Sequence, residues 1–297
     1  MSTAAPVSSR ISLLAAGAAA ATGVQVGAAL VASRYVVEQT GPATLALLRY
    51  AIGFLILLGP ALLAPAVRFA PRDLVLIAVL GIGQFALLVL LLNIGLHYTT
   101  AARAALLFAT MPLITLGLAA LLGHERLGLA KGLGGLLTLL GVGLALGEAV
   151  LNPLTGPDAW IGVLAVLGSA TTGAICSVLY RPYLRRYPIL KISTVAMAAA
   201  VLALAPLALM EQQAAPLQGL ELSGVLAVLF IGISSGVFYF LWLWALGHAP
   251  ASRVAVFLSL SPPTAALLGI LLLGEPVTLS LLAGIAAIVA GIVLAHR

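Results

Sequence analysis

The sequence predicts an all-α membrane protein: ten transmembrane helices folded as two inverted five-helix repeats around a central cavity. Three observations predict it. Apolar residues make up 63% of the chain and charged residues only 7%, with a mean hydropathy of +1.22, a balance that suits lipid and not water. The apolar residues fall into ten runs of about the 20 residues that a helix needs to cross hydrocarbon. The chain also matches itself at an offset of 150 residues: Arg103, Pro112, Glu125, Gly134 and Gly141 recur without a gap as Arg253, Pro262, Glu275, Gly284 and Gly291, and Thr22-Gly23 recurs as Thr172-Gly173. An odd number of spans in each copy turns the second copy upside down, which is the geometry of a secondary transporter.

In the first repeat (residues 1–150) the spans are read at 11–33, 42–64, 74–93, 100–122 and 127–147, numbered 1 to 5. Span 1 follows Arg10 and is Ala-rich, as a signal peptide would be. Its length and its match in the second half predict a retained helix. In the second repeat (residues 151–297) spans 6 to 10 are read at 160–180, 190–210, 222–244, 252–273 and 278–295. The two repeats make one transmembrane domain, because the loops are too short for a soluble one. A β-barrel is excluded by the continuously apolar runs, which lack the alternation of a strand between lumen and lipid.

Lys and Arg are retained on the cytoplasmic side of short loops. With the N-terminus inside, eleven of the fourteen fall there: Arg10, Arg68, Arg72, Arg126, Lys131, Arg181, Arg185, Arg186, Lys191, Arg253 and Arg297. Both termini are therefore predicted to be cytoplasmic. The net charge of +6 marks topology and anionic headgroups as the partner, not nucleic acid. The single cysteine, Cys176, permits no intrachain disulfide and suggests no metal site.

Polar groups near the midplane must find a partner or line a wet cavity. Thr22 and Gln25 in span 1, Gln84 in span 3, Thr171 and Thr172 in span 6, and Ser234 and Ser235 in span 8 occupy that depth. Ser235, Phe238, Tyr239 and Trp242 follow a helical stripe. Spans 1, 3, 6 and 8 thus wall the predicted cavity. A Ser or Thr hydroxyl is often satisfied by its own helix, whereas a primary amide has more hydrogen-bonding capacity than one helix meets. The candidate binding residues are accordingly Gln25 and Gln84, assisted by Thr22, Thr171 and Ser234, with Tyr239 and Trp242 for apolar contact. Pro112 and Pro262 interrupt the matched spans 4 and 9 and read as hinges, with Gly23 and Gly173 allowing close approach.

All eight carboxylates lie near span ends. That disfavours recognition of a cationic drug by charge, or coupling through a buried acid. Arg49, about two turns into span 2, reads as a snorkelling residue, the alternative being a guanidinium offered to a carboxylate in the cavity. Glu125 and Glu275 read as acidic groups at the N-termini of the spans that follow them. No HExxH, GxSxG or phosphate-cradling loop is present, so the sequence points to no enzyme and calls for no cofactor.

Leu47-Leu48-Arg49-Tyr50-Ala51, the Pro112 helix running into Gly123-His124-Glu125-Arg126-Leu127, and the Pro262 helix running into Gly274-Glu275-Pro276-Val277 resemble the EamA family of the drug/metabolite transporter superfamily. The resemblance covers essentially the whole chain and implies two inverted five-helix repeats. Within the family the chain is similar to the YddG-type amino-acid exporters of bacterial inner membranes, which implies export of aromatic and other apolar amino acids. Neutral drugs, other metabolites, facilitated diffusion without coupling, and a non-transporting membrane partner all stay compatible with the residues. The sequence sets no oligomeric state.

Overall fold

The computed structural model describes residues 9–123, 130, 133–137, 140, 141, 144, 159–214, 219–275 and 278–295. Most of span 5, the division at residue 150, and Glu125, His124, Pro276 and Val277 lie outside them. The described residues are helical throughout their ordered elements, and eight helices are long and apolar enough to cross a membrane: Leu13–Thr40, Pro42–Leu63, Pro71–Tyr98, Ala101–Leu121, Trp160–Leu184, Ile189–Gln213, Leu222–His248 and Arg253–Leu273. These are spans 1 to 4 and 6 to 9. Span 10 is the shorter apolar helix Leu279–Ala295.

Local chemistry punctuates the helices. Pro42 and Pro71 sit in the first turns of spans 2 and 3, where a missing N–H costs nothing. Gly41, Gly123 and Gly274 take φ values of 81°, 72° and 63° in the loops after spans 1, 4 and 9, a region glycine enters without a Cβ clash. Leu55, Leu63, Leu121, Leu202 and Leu279 stand more than half exposed, as side chains do that meet lipid.

The two repeats interlock reciprocally. Span 1 packs on spans 8 and 9, and the matching span 6 packs on spans 3 and 4; span 2 packs on span 8 as span 7 packs on span 3; spans 2 and 7 pack on each other. Each pairing maps onto its mate when 150 is added to or subtracted from the numbering, as an inverted duplication requires.

The loops after spans 1, 3, 7 and 9 share one face, here the acidic face, and those after spans 2 and 6 share the other, the basic face. On the acidic face Glu211 of span 7 accepts from Ala43 N at 3.1 Å and Thr44 N at 2.6 Å, the first turn of span 2. On the basic face Lys191, at the start of span 7, donates to Ala61 O at 2.5 Å and Ala64 O at 3.2 Å, the last turn of span 2. Span 7 therefore places an anion against the N-terminal amides of span 2 and a cation against its C-terminal carbonyls, both favoured by the helix dipole. Asp73 adds a bridge on the basic face, accepting from Arg186 at 3.2 Å and Tyr187 Oη at 2.8 Å.

Glu275 corrects the expectation that it serves its own following span. Its carboxylate accepts from Ala101 N at 2.9 Å and Ala102 N at 3.4 Å, the orphan amides that open span 4 in the other repeat. On the acidic face two carboxylates of the second repeat thus cap two helix N-termini of the first.

Candidate functional site

Spans 4 and 9 are broken at matched depths. Span 4 runs as Ala101–Phe108 and resumes as Met111–Leu121 with Pro112 in the new first turn. Span 9 runs as Ala251–Val256, tightens into a 3-10 turn at Phe257–Leu260, and resumes as Ser261–Leu273 with Pro262 in its first turn. A proline ring cannot follow a regular turn without clashing with the carbonyl four residues back, so the backbone breaks just ahead of each. Span 3 is irregular in another way, with a π-helical turn at Ile82–Leu87 in which Gln84, Phe85 and Ala86 are all buried. Such single-turn insertions cluster at functional sites. The matching stretch of span 8 continues as a regular α-helix within Leu222–His248.

Between these spans lies a cavity lined by Thr22, Gln25, Val26, Arg49, Tyr50, Gln84, Leu88, Val89, Leu92, Phe108, Met111, Ser235, Tyr239, Trp242 and Leu258. Its volume is about 80 Å³, room for several waters at roughly 10–15 Å³ each. The lining comes from both repeats. Two of the lining rings are bridged by the buried Phe85, which stands edge-on to Tyr50 at 4.8 Å and to Tyr239 at 4.1 Å, geometry that the ring quadrupoles favour.

Of the residues that the sequence singles out, the structure brings Thr22, Gln25, Gln84, Tyr239 and Trp242 to this cavity. Gln25 Nε2 donates to Ser234 Oγ at 2.9 Å, so Ser234 orients Gln25 from behind and is itself outside the lining. Thr22 donates its hydroxyl to Ala18 O at 2.8 Å and lies 3.3 Å from Phe238 O of span 8. Gln84 is 7% exposed, and its carbonyl oxygen has no donor among the described residues. Thr171 is a correction: it is exposed and gives its hydroxyl to Leu167 O of its own helix at 2.8 Å, away from the cavity lining. Span 6 contributes none of the lining residues.

Arg49 is the second correction. It does not snorkel; it lines the cavity and donates Nε–H to Ser235 Oγ at 2.7 Å, with its guanidinium carbon 5.5 Å from the Tyr50 ring centroid. The reason lies one turn further on, where Gly53 of span 2 meets Gly236 of span 8 backbone to backbone. A Cβ built on Gly236 stands 3.1 Å from Gly53 Cα. With no side chain between them the two helices close up, and Arg49 reaches span 8 before it could reach a headgroup.

The two glycines expected to allow close approach, Gly23 and Gly173, differ in how much they tolerate. A Cβ on Gly23 would overlap the Phe257 carbonyl, standing 2.9 Å from its carbon, in the 3-10 turn of span 9. A Cβ on Gly173 would meet only the flexible ends of Leu88 at 2.8 Å and Met111 at 3.0 Å. Gly23 thus seats span 1 directly on the broken backbone of span 9.

A wider cavity of about 850 Å³ opens on the acidic face, lined by Glu38, Gln39, Thr40, His97, Glu211 and Glu221 among others. Among the described residues no three His, Cys, Asp or Glu side chains converge as metal ligands would. Cys176 is buried and unpaired.

The chain matches the EamA-like transporter family over residues 12–147 and again over residues 160–297. An uncharacterized transporter of Archaeoglobus fulgidus is 28% identical over 91% of this chain and 94% of its own length. The uncharacterized transporter YdfC of Bacillus subtilis is 29% identical over 83% and 79%. A probable terminal-alkyne amino-acid exporter of Streptantibioticus cattleyicolor is 28% identical over 76% and 74%. A solved crystal structure superposes with a TM-score of 0.69 over 93% of this chain and 95% of that one, at 22% identity, a likeness of fold. With two copies of the family matched end to end, a ten-helix architecture and a cavity between inverted halves, the chain belongs to the EamA-like transporter family.

Proposed function

We propose that the protein exports amino acids, the aromatic and other apolar ones first, by alternating access in a bacterial inner (plasma) membrane with both termini cytoplasmic. The observation that carries this reading is the make-up of the central cavity. Its walls combine aromatic and aliphatic groups with amides, hydroxyls and the Arg49 guanidinium, and no described carboxylate lines it. Such a cavity suits a zwitterion with an apolar side chain and offers no described anion to pair with a lipophilic cation. The amino-acid exporter among the relatives supports the same substrate class. Gln25 and Gln84 meet the polar groups of the substrate, Thr22 and the buried Ser234 support them, and Tyr239 and Trp242 cover its side chain. The matched breaks before Pro112 and Pro262 let the half-helices of spans 4 and 9 swing while the rest of each repeat moves as a body. The eleven cytoplasmic Lys and Arg of the charge pattern set the orientation.

Uptake of labelled Trp, Phe, Met, Thr and Lys into proteoliposomes, with and without an imposed proton gradient, tests this. Saturable uptake of the apolar amino acids over Lys is expected; uptake no greater than into empty liposomes would overturn the reading in favour of drugs, other metabolites or a non-transport role. Gln84→Ala is expected to slow Trp uptake about tenfold, since a hydrogen bond to a charged group contributes roughly 1.5–3 kcal/mol. Undiminished uptake in both Gln25→Ala and Gln84→Ala would move the recognition site elsewhere.

A further inference from the structure

Arg49 is a fixed cation at membrane depth for which no described residue supplies a counter-ion. A guanidinium stays charged under any physiological condition, and a charge removed from water needs an opposite charge or a full set of hydrogen bonds. Its neighbours supply neither. Ser235 accepts from Nε, and the Tyr50 ring lies alongside. Both are neutral, and the four N–H bonds on the two terminal nitrogens have no described acceptor. Every described carboxylate is engaged or placed elsewhere: Glu38 with Arg34, Asp73 with Arg186 and Tyr187, Glu211 with span 2, Glu275 with span 4, and Glu221 on the acidic-face vestibule. The position also breaks the internal symmetry, because the repeat places Ala199 opposite Arg49. An inverted cavity with matched ends could not orient a dipolar ligand. This one has a single positive end.

We infer that Arg49, held by Ser235, receives the carboxylate of the transported molecule, so that the carrier selects for a carboxylate and rejects the corresponding amine. The inference rests on the amino-acid reading above and adds to it the group that is recognised. Ser235 holds the guanidinium of this cavity-lining residue through Nε and so leaves the two terminal nitrogens for a ligand, the end-on fork that matches two carboxylate oxygens. The ligand brings an anion to a guanidinium that no described protein carboxylate pairs.

Two measurements test this. In proteoliposomes that carry labelled Trp, unlabelled indole-3-propionate, which keeps the carboxylate and lacks the ammonium, is expected to compete, and tryptamine, which lacks the carboxylate, is not. Arg49→Gln is expected to raise the KM for Trp on the order of tenfold to a hundredfold and to bring the Trp-to-tryptamine preference toward one, with Arg49→Lys intermediate. The wild-type protein in detergent gives a second readout that needs no variant: its melting temperature is expected to rise with indole-3-propionate and not with tryptamine. Tryptamine competing as well as indole-3-propionate, or Arg49→Gln keeping the full preference for Trp, would overturn the assignment while amino-acid transport stands. A wild-type carrier that moves no amino acid and whose melting responds to neither indole would overturn both.

Discussion

Gly23→Val is expected to prevent assembly of the folded protein, and Gly23→Ala to cost it about 1–3 kcal/mol, the range for forcing extra carbons into a packed core. The Cβ of either would overlap the Phe257 carbonyl, and that carbonyl belongs to a 3-10 turn that cannot retreat without undoing the break in span 9. Two other glycines calibrate the effect. Gly173→Ala presses only on the ends of Leu88 and Met111 and is expected to cost less than half as much. Gly17 has nothing within 4 Å, so Gly17→Ala is expected to be neutral or to gain up to about 1 kcal/mol of helix propensity. Thermal unfolding of the purified protein in detergent, with monodispersity followed on a sizing column, reads all four. Equal losses at positions 17 and 23 would show that span 1 does not rest on span 9 as described.

Removing the two acidic-face carboxylates that cap helices of the first repeat, Glu211 and Glu275, is expected to widen access from that face. Glu211 and Glu275 together accept from Ala43, Thr44, Ala101 and Ala102 amides across the repeat boundary. Gln212 adds a neutral link to the start of span 2, donating to Thr44 Oγ1 at 2.8 Å and lying 3.3 Å from Thr40 O, and the double substitution leaves it in place. In a Cys176→Ser background, a cysteine placed at Trp242 is expected to react several-fold faster with a membrane-impermeant thiol reagent added from the acidic face when Glu211→Ala and Glu275→Ala are combined. Labelling from the basic face should fall or stay constant. Unchanged labelling from the acidic face would mean that these bonds stabilise helix ends without holding the face shut. Each single change should give a partial increase, because either carboxylate alone still spans the boundary.

The membrane fold was legible because lipid imposes a simple rule: every span must be long, apolar and helical, and a duplication then shows in the few residues that lipid does not dictate. Arg, Pro, Glu and Gly supplied it. Gln25 and Gln84 were legible for a related reason, since their hydrogen-bonding demand is too large for one helix. Thr171 was misplaced because a hydroxyl can be satisfied by the carbonyl four residues back, and depth alone does not say which way a helix turns its face. Arg49 was misread because snorkelling depends on distance to the interface, while its real partner was set by the contact of Gly53 with Gly236, residues far apart in the chain. Glu275 caps a helix 174 residues away, a pairing that no local pattern carries. The π-helical turn under Gln84 left no mark in the local composition.

The clamp of span 7 on span 2 also bears on how the molecule responds to voltage. Lys191 and Glu211 sit at opposite ends of one helix and contribute one charge of each sign, and each faces the opposing end of the dipole of span 2. When spans 2 and 7 move as a unit, the two charges move together through the field and their electrical work cancels, although a single charge crossing the full potential involves about 2.3 kcal/mol per 100 mV. With that pair balanced, Arg49 is the unbalanced charge that spans 2 and 7 carry, so turnover follows the membrane potential only to the extent that Arg49 is displaced along the field.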